Sequence, residues 1–362
     1  MKYRLNEIMG KTTYTADKTE VINLDQSDPI SELIIDLGVN NTANGSMTLH
    51  PTACLTKIEL MDGSQPLVSL SGLQAEAIDW YTHKAFRPAN WNMAITDNSM
   101  RRYIGINFGR WLWDEKYAFD PKRYTNPQLK LTLDINAGGL TATSDTLRVL
   151  AASFDKKAIS PVGFMSCVGV ADKPLGASSH IYYDLPVDKA LRRLFYRVQT
   201  AGTEPDQLAV NFRLGENGYK TIPFDLSTDA ILSQIMAEYP RVFEEYLYTI
   251  GTANRYLMVA PSSKVMAWAN SWSESAAANN ISLYDGDGGR LKTIASLDVN
   301  AQIGVRGVYP HCLFSIPFGD LKDDRDWYEM EGITKLQLDV TCASGAAATD
   351  TGELIVEKVE PY

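Results

Sequence analysis

The sequence predicts an all-β protein: two tandem eight-stranded antiparallel jelly rolls, each with a short helix, and a large loop insertion in the second. Three observations carry that prediction. Segments of the first half return in the same order in the second half, short apolar-alternating runs are separated by turn residues, and no regular series of long helices interleaves with those runs. The last point disfavours a parallel sheet, whose successive strands need crossover helices.

The repeat is clearest late in each half. Lys130-Leu131-Thr132-Leu133-Asp134-Ile135 returns as Lys335-Leu336-Gln337-Leu338-Asp339-Val340, an offset of 335 − 130 = 205, and Asp145-Thr146 returns as Asp350-Thr351 at the same offset. Phe108-Gly109 and Phe318-Gly319 each close an alternating stretch. Earlier matches pair Ile35-Asp36-Leu37 with Tyr183-Asp184-Leu185 and the turn Asp62-Gly63 with Asn217-Gly218. Ser71 and Ser227 follow those turns, each placed to cap the amphipathic segment behind it.

In chain order, residues 1–24 are polar without sustained periodicity and predict an N-terminal arm. Lys2, Arg4 and Lys11 outweigh Glu7, so its tip suits a membrane surface or a neighbouring subunit, with a simply frayed terminus the equally open alternative. The first roll is expected over 25–175. Leu33, Ile35 and Leu37 alternate, Ile58 and Leu60 precede a hairpin turn, and Leu73, Ala77, Trp80 and Tyr81 fit one helix face. Tyr103 to Trp113, Leu129 to Ile135, and Leu147, Val149 and Ala151 supply later strands, with a linker at Lys173-Pro174-Leu175-Gly176-Ala177-Ser178-Ser179.

The second roll is expected over 176–362. Tyr182 to Val187, Leu194 to Val198 and Leu208 to Leu214 read as strands, and Ile231, Leu232, Ile235, Met236 and Tyr239 as a helix ended by Pro240. Val242, Phe243, Tyr246, Leu247 and Ile250 predict a further turn or two of helix ending at Gly251. The two turns are offset by 218 − 63 = 155 and the Phe-Gly pairs by 319 − 109 = 210. The second half therefore carries about 55 extra residues, placed at about 245–305, a size that surface loops tolerate.

Composition narrows the function classes. At 45% hydrophobic and 22% charged residues the chain is an ordinary globular protein. No run approaches the roughly 20 apolar residues of a membrane span, and the opening residues lack the apolar core of a secretory signal, so export by that route is not expected. A net charge of −10 argues against a surface that coats nucleic acid. Cys54, Cys167, Cys312 and Cys342 form no CxxC pair and are expected as free buried thiols.

Chemistry is sparse. His50, His83, His180 and His311 stand at no metal-ligand spacing, and there is no nucleophile elbow, P-loop or dinucleotide fingerprint. Asp285-Gly286-Asp287-Gly288-Gly289 lacks the remaining ligands of a calcium loop and reads as a turn at the tip of the insertion. Asp320-Leu321-Lys322-Asp323-Asp324-Arg325-Asp326 reads as a solvated loop. The sharpest enzymatic constellation is Trp111, Trp113, Asp114 and Glu115 with Trp327, Glu329 and Glu331, since carboxylates beside tryptophans are what a glycosidase cleft needs. These follow the two Phe-Gly pairs and read more simply as equivalent loops. No residue is assigned a catalytic, cofactor-binding or metal role, and no cofactor is expected.

Two tandem rolls, a helix in each, one large insertion and no visible active site resemble the double jelly-roll major capsid proteins of tailless icosahedral viruses, many with an internal membrane. A bacteriophage source fits the resemblance. It covers about residues 25–362 and is architectural, without a diagnostic motif. It implies a structural, non-enzymatic protein of the virion, made in the host cytoplasm and assembling as pseudo-hexameric homotrimers. Neighbouring capsomers, penton and minor capsid proteins would be its partners, with the internal membrane reached through the arm. The segments Ser71–Phe86 and Ser227–Tyr239 would match the helix of each roll, and the insertion an outer tower. Other classes left open are a two-lobed jelly-roll glycan hydrolase and a carbohydrate- or receptor-binding module.

Overall fold

The computed structural model describes residues 2–362 apart from 42–47, 88–97, 140–143, 156–158, 251, 272–280 and 296–298. The polar stretch Ser271 to Asn280 therefore lies almost wholly outside the described residues.

The first roll comprises β1 (Tyr3–Tyr14), β2 (Lys18–Asn23), β3 (Ile30–Asn41), β4 (Leu55–Asp62), β5 (Gln65–Leu70), α1 (Gly72–His83), β6 (Asn98–Asn107), β7 (Pro127–Leu133) and β8 (Asp145–Phe154). Its strands form two four-strand sets ordered β1-β8-β3-β6 and β2-β7-β4-β5, the jelly-roll order. Alternation drives the sandwich: Leu33, Ile35 and Leu37 of β3 and Leu129, Leu131 and Leu133 of β7 are buried in one core. Ser71 begins α1 with a capping box, accepting from the Gln74 amide at 3.3 Å while the Gln74 side chain accepts from the Ser71 amide at 2.8 Å. The helix then buries Trp80 and Tyr81.

The second roll repeats the plan with β9 (Gly163–Pro174), β10 (His180–Leu185), β11 (Leu191–Val198), β12 (Ala209–Glu216), β13 (Thr221–Ser227) and α2 (Thr228–Glu238). Between α2 and the rest of the roll come β14 (Val242–Ile250), β15 (Arg255–Met258), β16 (Pro261–Ser271), β17 (Ile281–Asp285), β18 (Arg290–Ala295) and β19 (Val299–Pro310). The roll finishes with β20 (Leu313–Pro317), β21 (Leu336–Cys342) and β22 (Thr351–Pro361). Its sets are β9-β22-β11-β20 and β10-β21-β12-β13, the same order strand for strand. The inserted strands form two three-stranded sheets, β14-β19-β16 and β15-β18-β17. A parallel bridge between Ser69 on β5 and Val168 on β9 joins one set from each roll into an eight-stranded sheet, β2-β7-β4-β5-β9-β22-β11-β20.

Four expectations need correction. Residues 1–24 are not an arm: β1 pairs with β8 from Tyr3↔Phe154 to Tyr14↔Asp145, and β2 pairs with β7. The break between rolls falls between β8 and β9 rather than at 175, because β9 runs to Pro174 on β22 and the Lys173–Ser179 segment turns it into β10. Residues 242–250 are strand, not helix, with Val242, Glu244, Tyr246, Tyr248 and Ile250 all buried. Finally, Ile35-Asp36-Leu37 lies on the third strand of its roll and Tyr183-Asp184-Leu185 on the second. The other repeat matches fall on equivalent elements, with both serines as helix N-caps.

Candidate functional site

The two tryptophan- and carboxylate-bearing segments occupy equivalent loops after β6 and β20, and the loops touch. Buried Asp114 holds Arg110 through two bonds of 2.7 and 3.0 Å, and Arg110 also donates to the Lys322 carbonyl at 2.8 Å. Asp324 accepts from Tyr117 at 2.8 Å and pairs with Lys116, and the Tyr117 and Trp327 rings lie 5.8 Å apart. Trp113 stacks on Tyr3, Trp327 donates to the Asp320 carbonyl, and Glu115, Glu329 and Glu331 face outward. Trp327, Glu329 and Glu331 line an open recess of about 420 Å³ that none of Trp111, Trp113, Asp114 and Glu115 lines. The constellation is a clamp between rolls, built on Asp114 and Asp324 rather than on a facing carboxylate pair. The charged stretch Asp320–Asp326, expected as a solvated loop, thus contributes two anchors across the rolls, the Asp324 carboxylate and the Lys322 carbonyl.

Two of the scattered histidines converge. His50 precedes β4 and His311 follows β19, yet their rings lie 4.7 Å apart in a sealed polar cluster. Glu76 of α1 accepts from Thr52 at 2.7 Å and is bonded to His311 Nε2 at 2.8 Å. Arg102 of β6 bridges Glu76 (2.7 Å) and Glu244 of β14 (2.9 Å), and Glu244 also accepts from the Ala260 amide and Tyr246. Burial alone would raise the Glu76 carboxyl, but Arg102 and the His311 bond outweigh it and hold it well below the usual range. Burial and Arg102 together push His50 far down, so its imidazole is neutral. His50, Glu76 and His311 therefore offer a neutral imidazole and an ionised carboxylate within metal-binding reach, while Arg102 already supplies their positive charge.

A second polar cluster joins Glu32, Asp79 and His83, with Asp79 also held by Asn107 at 2.9 Å and the Gly105 amide at 3.1 Å. Burial, helped by Asp79, pushes Glu32 up to about 7, and Arg87 caps both carboxylates. His180 stands apart from both clusters, half-exposed against Asp339 at 2.9 Å. All four cysteines are buried and free.

The glycine-rich loop 285–289 is a docked turn, not a free tip. Gly202 donates to the Asp287 carbonyl, and Gly288, at φ 63°, packs so tightly on the Thr200 carbonyl that a Cβ there would overlap it.

The outer face of β14-β19-β16 was not anticipated as a site. Strand register arranges it in three rows: Phe243–Arg306–Met266, Glu245–Gly304–Trp268 and Leu247–Gln302–Asn270. The Trp268 indole lies across Gly304, where a Cβ would collide with it, and stacks toward Phe243 at 5.9 Å with 14° between planes. Phe243, Leu247, Met266 and Trp268 are all exposed. The alternation of Lys264, Met266, Trp268 and Asn270 with the smaller Val265, Ala267 and Ala269 was the sequence signal that could have revealed this face.

No protein-family model and no curated protein matches the chain. Solved structures do. The chain is similar to the major capsid protein of Sulfolobus turreted icosahedral virus, at TM-score 0.63 and 13% identity over 100% of this chain and 98% of that one. It is similar to VP54 of PBCV-1, at TM-score 0.60 and 11% identity over 99% and 93%. It is similar to major capsid protein P2 of bacteriophage PM2, at TM-score 0.57 and 11% identity over 99% and 98%. With two rolls of identical strand order matched end to end, the chain has the double jelly-roll fold of these viral major capsid proteins.

Proposed function

We propose that the chain is a viral major capsid protein with a structural role in an icosahedral shell. The observation that carries this is the pairing of two rolls of one topology in a fixed side-by-side placement, matched over the full chain to capsid proteins. Three copies would present six rolls as a nearly hexagonal block, each roll meeting different neighbours without any catalytic step. Capsomers of the same kind and vertex and minor shell proteins are its partners, and the virion its destination. With β1 held in the sheet against β8, no membrane contact is assigned to residues 1–24.

Light scattering of the purified chain tests the reading. A particle of three times 40.2 kDa is expected, followed by shell-like assemblies in electron micrographs. A chain that stays monomeric at every concentration that assembly requires refutes it.

A further inference from the structure

We propose that the outer face of β14-β19-β16 binds an acidic glycan, one whose pyranose ring carries a carboxylate. The face is built as a platform. Trp268 reaches across the central strand only because residue 304 is glycine, and its indole lies nearly parallel to the Phe243 ring. A glycine inside a strand costs roughly 0.5–1 kcal/mol, so its use at the centre of this sheet has a reason in the flat aromatic surface it permits. Both residues remain well exposed, at 44% for Phe243 and 43% for Trp268. Flat, exposed π-surfaces of this kind match the apolar C–H face of a sugar ring.

The polar groups around the rings supply the rest. Arg306 is exposed beside Phe243, with Met266 Sδ at 3.7 Å and no carboxylate partner among the described residues. An unpaired guanidinium next to a stacking surface complements a sugar carboxylate, which it can hold through two parallel bonds. Gln302 and Asn270, opposite each other one row beyond Gly304, present amides to ring hydroxyls, and Glu245 presents an acceptor. A protein partner fits this face poorly, because it would strip water from these interspersed polar groups to cover only four apolar side chains. Glycan binding stands apart from the shell reading, since a chain that fails to assemble could still bind.

The test uses the full chain and saturation-transfer NMR with 3′-sialyllactose, a hyaluronan tetrasaccharide and neutral lactose, the first two separating sialic from uronic acid. At least one acidic probe should bind about tenfold more tightly than lactose. Arg306→Gln should erase that preference, while Trp268→Ala and Gly304→Val, which removes the room for the indole, should each cut binding about tenfold or more. Circular dichroism and light scattering should match the unsubstituted chain for all three. Absence of binding by either acidic probe up to about 10 mM overturns the proposal, as does an unchanged preference in Arg306→Gln. If Trp268→Ala instead disperses the oligomer and leaves glycan binding intact, the face is a contact between copies and the proposal fails.

Discussion

Replacing Glu357 by Gln should destabilise the second roll strongly, because it unpairs two buried guanidinium groups. Glu357 lies on β22 directly opposite Arg193 of β11, which grips it by two bonds of 2.5 and 3.0 Å, and Arg192 adds a third at 2.8 Å. All three side chains are buried. Burial would push the Glu357 carboxyl up, but the two guanidinium groups hold it at about 2 against an ordinary 4.5. A difference of about 2.5 at roughly 1.4 kcal/mol per pH unit gives about 3 kcal/mol of stability at neutral pH. Because the folded-state value is depressed, that stability is fully present above pH 4.5 and is lost as pH falls toward 2. The amide cannot answer two buried guanidinium groups, so Glu357→Gln should lose about 3–5 kcal/mol. With an unfolding entropy near 2.1 cal/mol/K per residue, or about 0.8 kcal/mol/K over 362 residues, the melting temperature should fall by about 5 °C at pH 7. Calorimetry from pH 7 to pH 3 should show the gap narrowing in the acid arm. A variant that melts with the parent at pH 7, or a gap that stays constant to pH 3, would refute the reasoning.

Arg102→Met should leave Glu76 and Glu244 buried without their shared cation, costing about 3–5 kcal/mol by urea unfolding at pH 7. Ser71→Ala removes the oxygen that accepts from Gln74 and should cost about 1 kcal/mol, read as a lower urea midpoint with an unchanged slope. Gly288→Ala combines a left-handed backbone with overlap on the Thr200 carbonyl, and a loss of about 1–3 kcal/mol is expected in thermal melts.

Much of the fold was legible because the elements that repeat are those with simple local signals. The Asp62-Gly63 and Asn217-Gly218 turns, the two capping serines and the Lys-Leu-x-Leu-Asp strands mark equivalent places in both rolls. What was misread has physical causes. β1 is an edge strand with register shifts between Glu7 and Met9 and between Met9 and Thr12, so its alternation breaks and Leu5 points to solvent. In β14 the interior position 244 is a glutamate, which hides period two and leaves a spacing that imitates a helix. The arginine brought by β6, together with the Ala260 amide and the Tyr246 hydroxyl, makes that residue acceptable inside. The meeting of His50, Glu76 and His311 was beyond reach for the same reason: separations this long along the chain acquire meaning only when the insertion folds back on the first roll.

The eight-stranded sheet running from β2 to β20 has a mechanical corollary. Two rolls tethered by a linker could swivel, each finding its own angle to its surroundings. Here the seam at Ser69 and Val168 is backed by the Gln74–Glu353 bond and by Tyr81 donating to the Leu313 carbonyl, so turning one roll drags the other. If such molecules tile a closed surface, its curvature must be taken up at the edges where one molecule meets the next, and each molecule behaves as a single stiff plate.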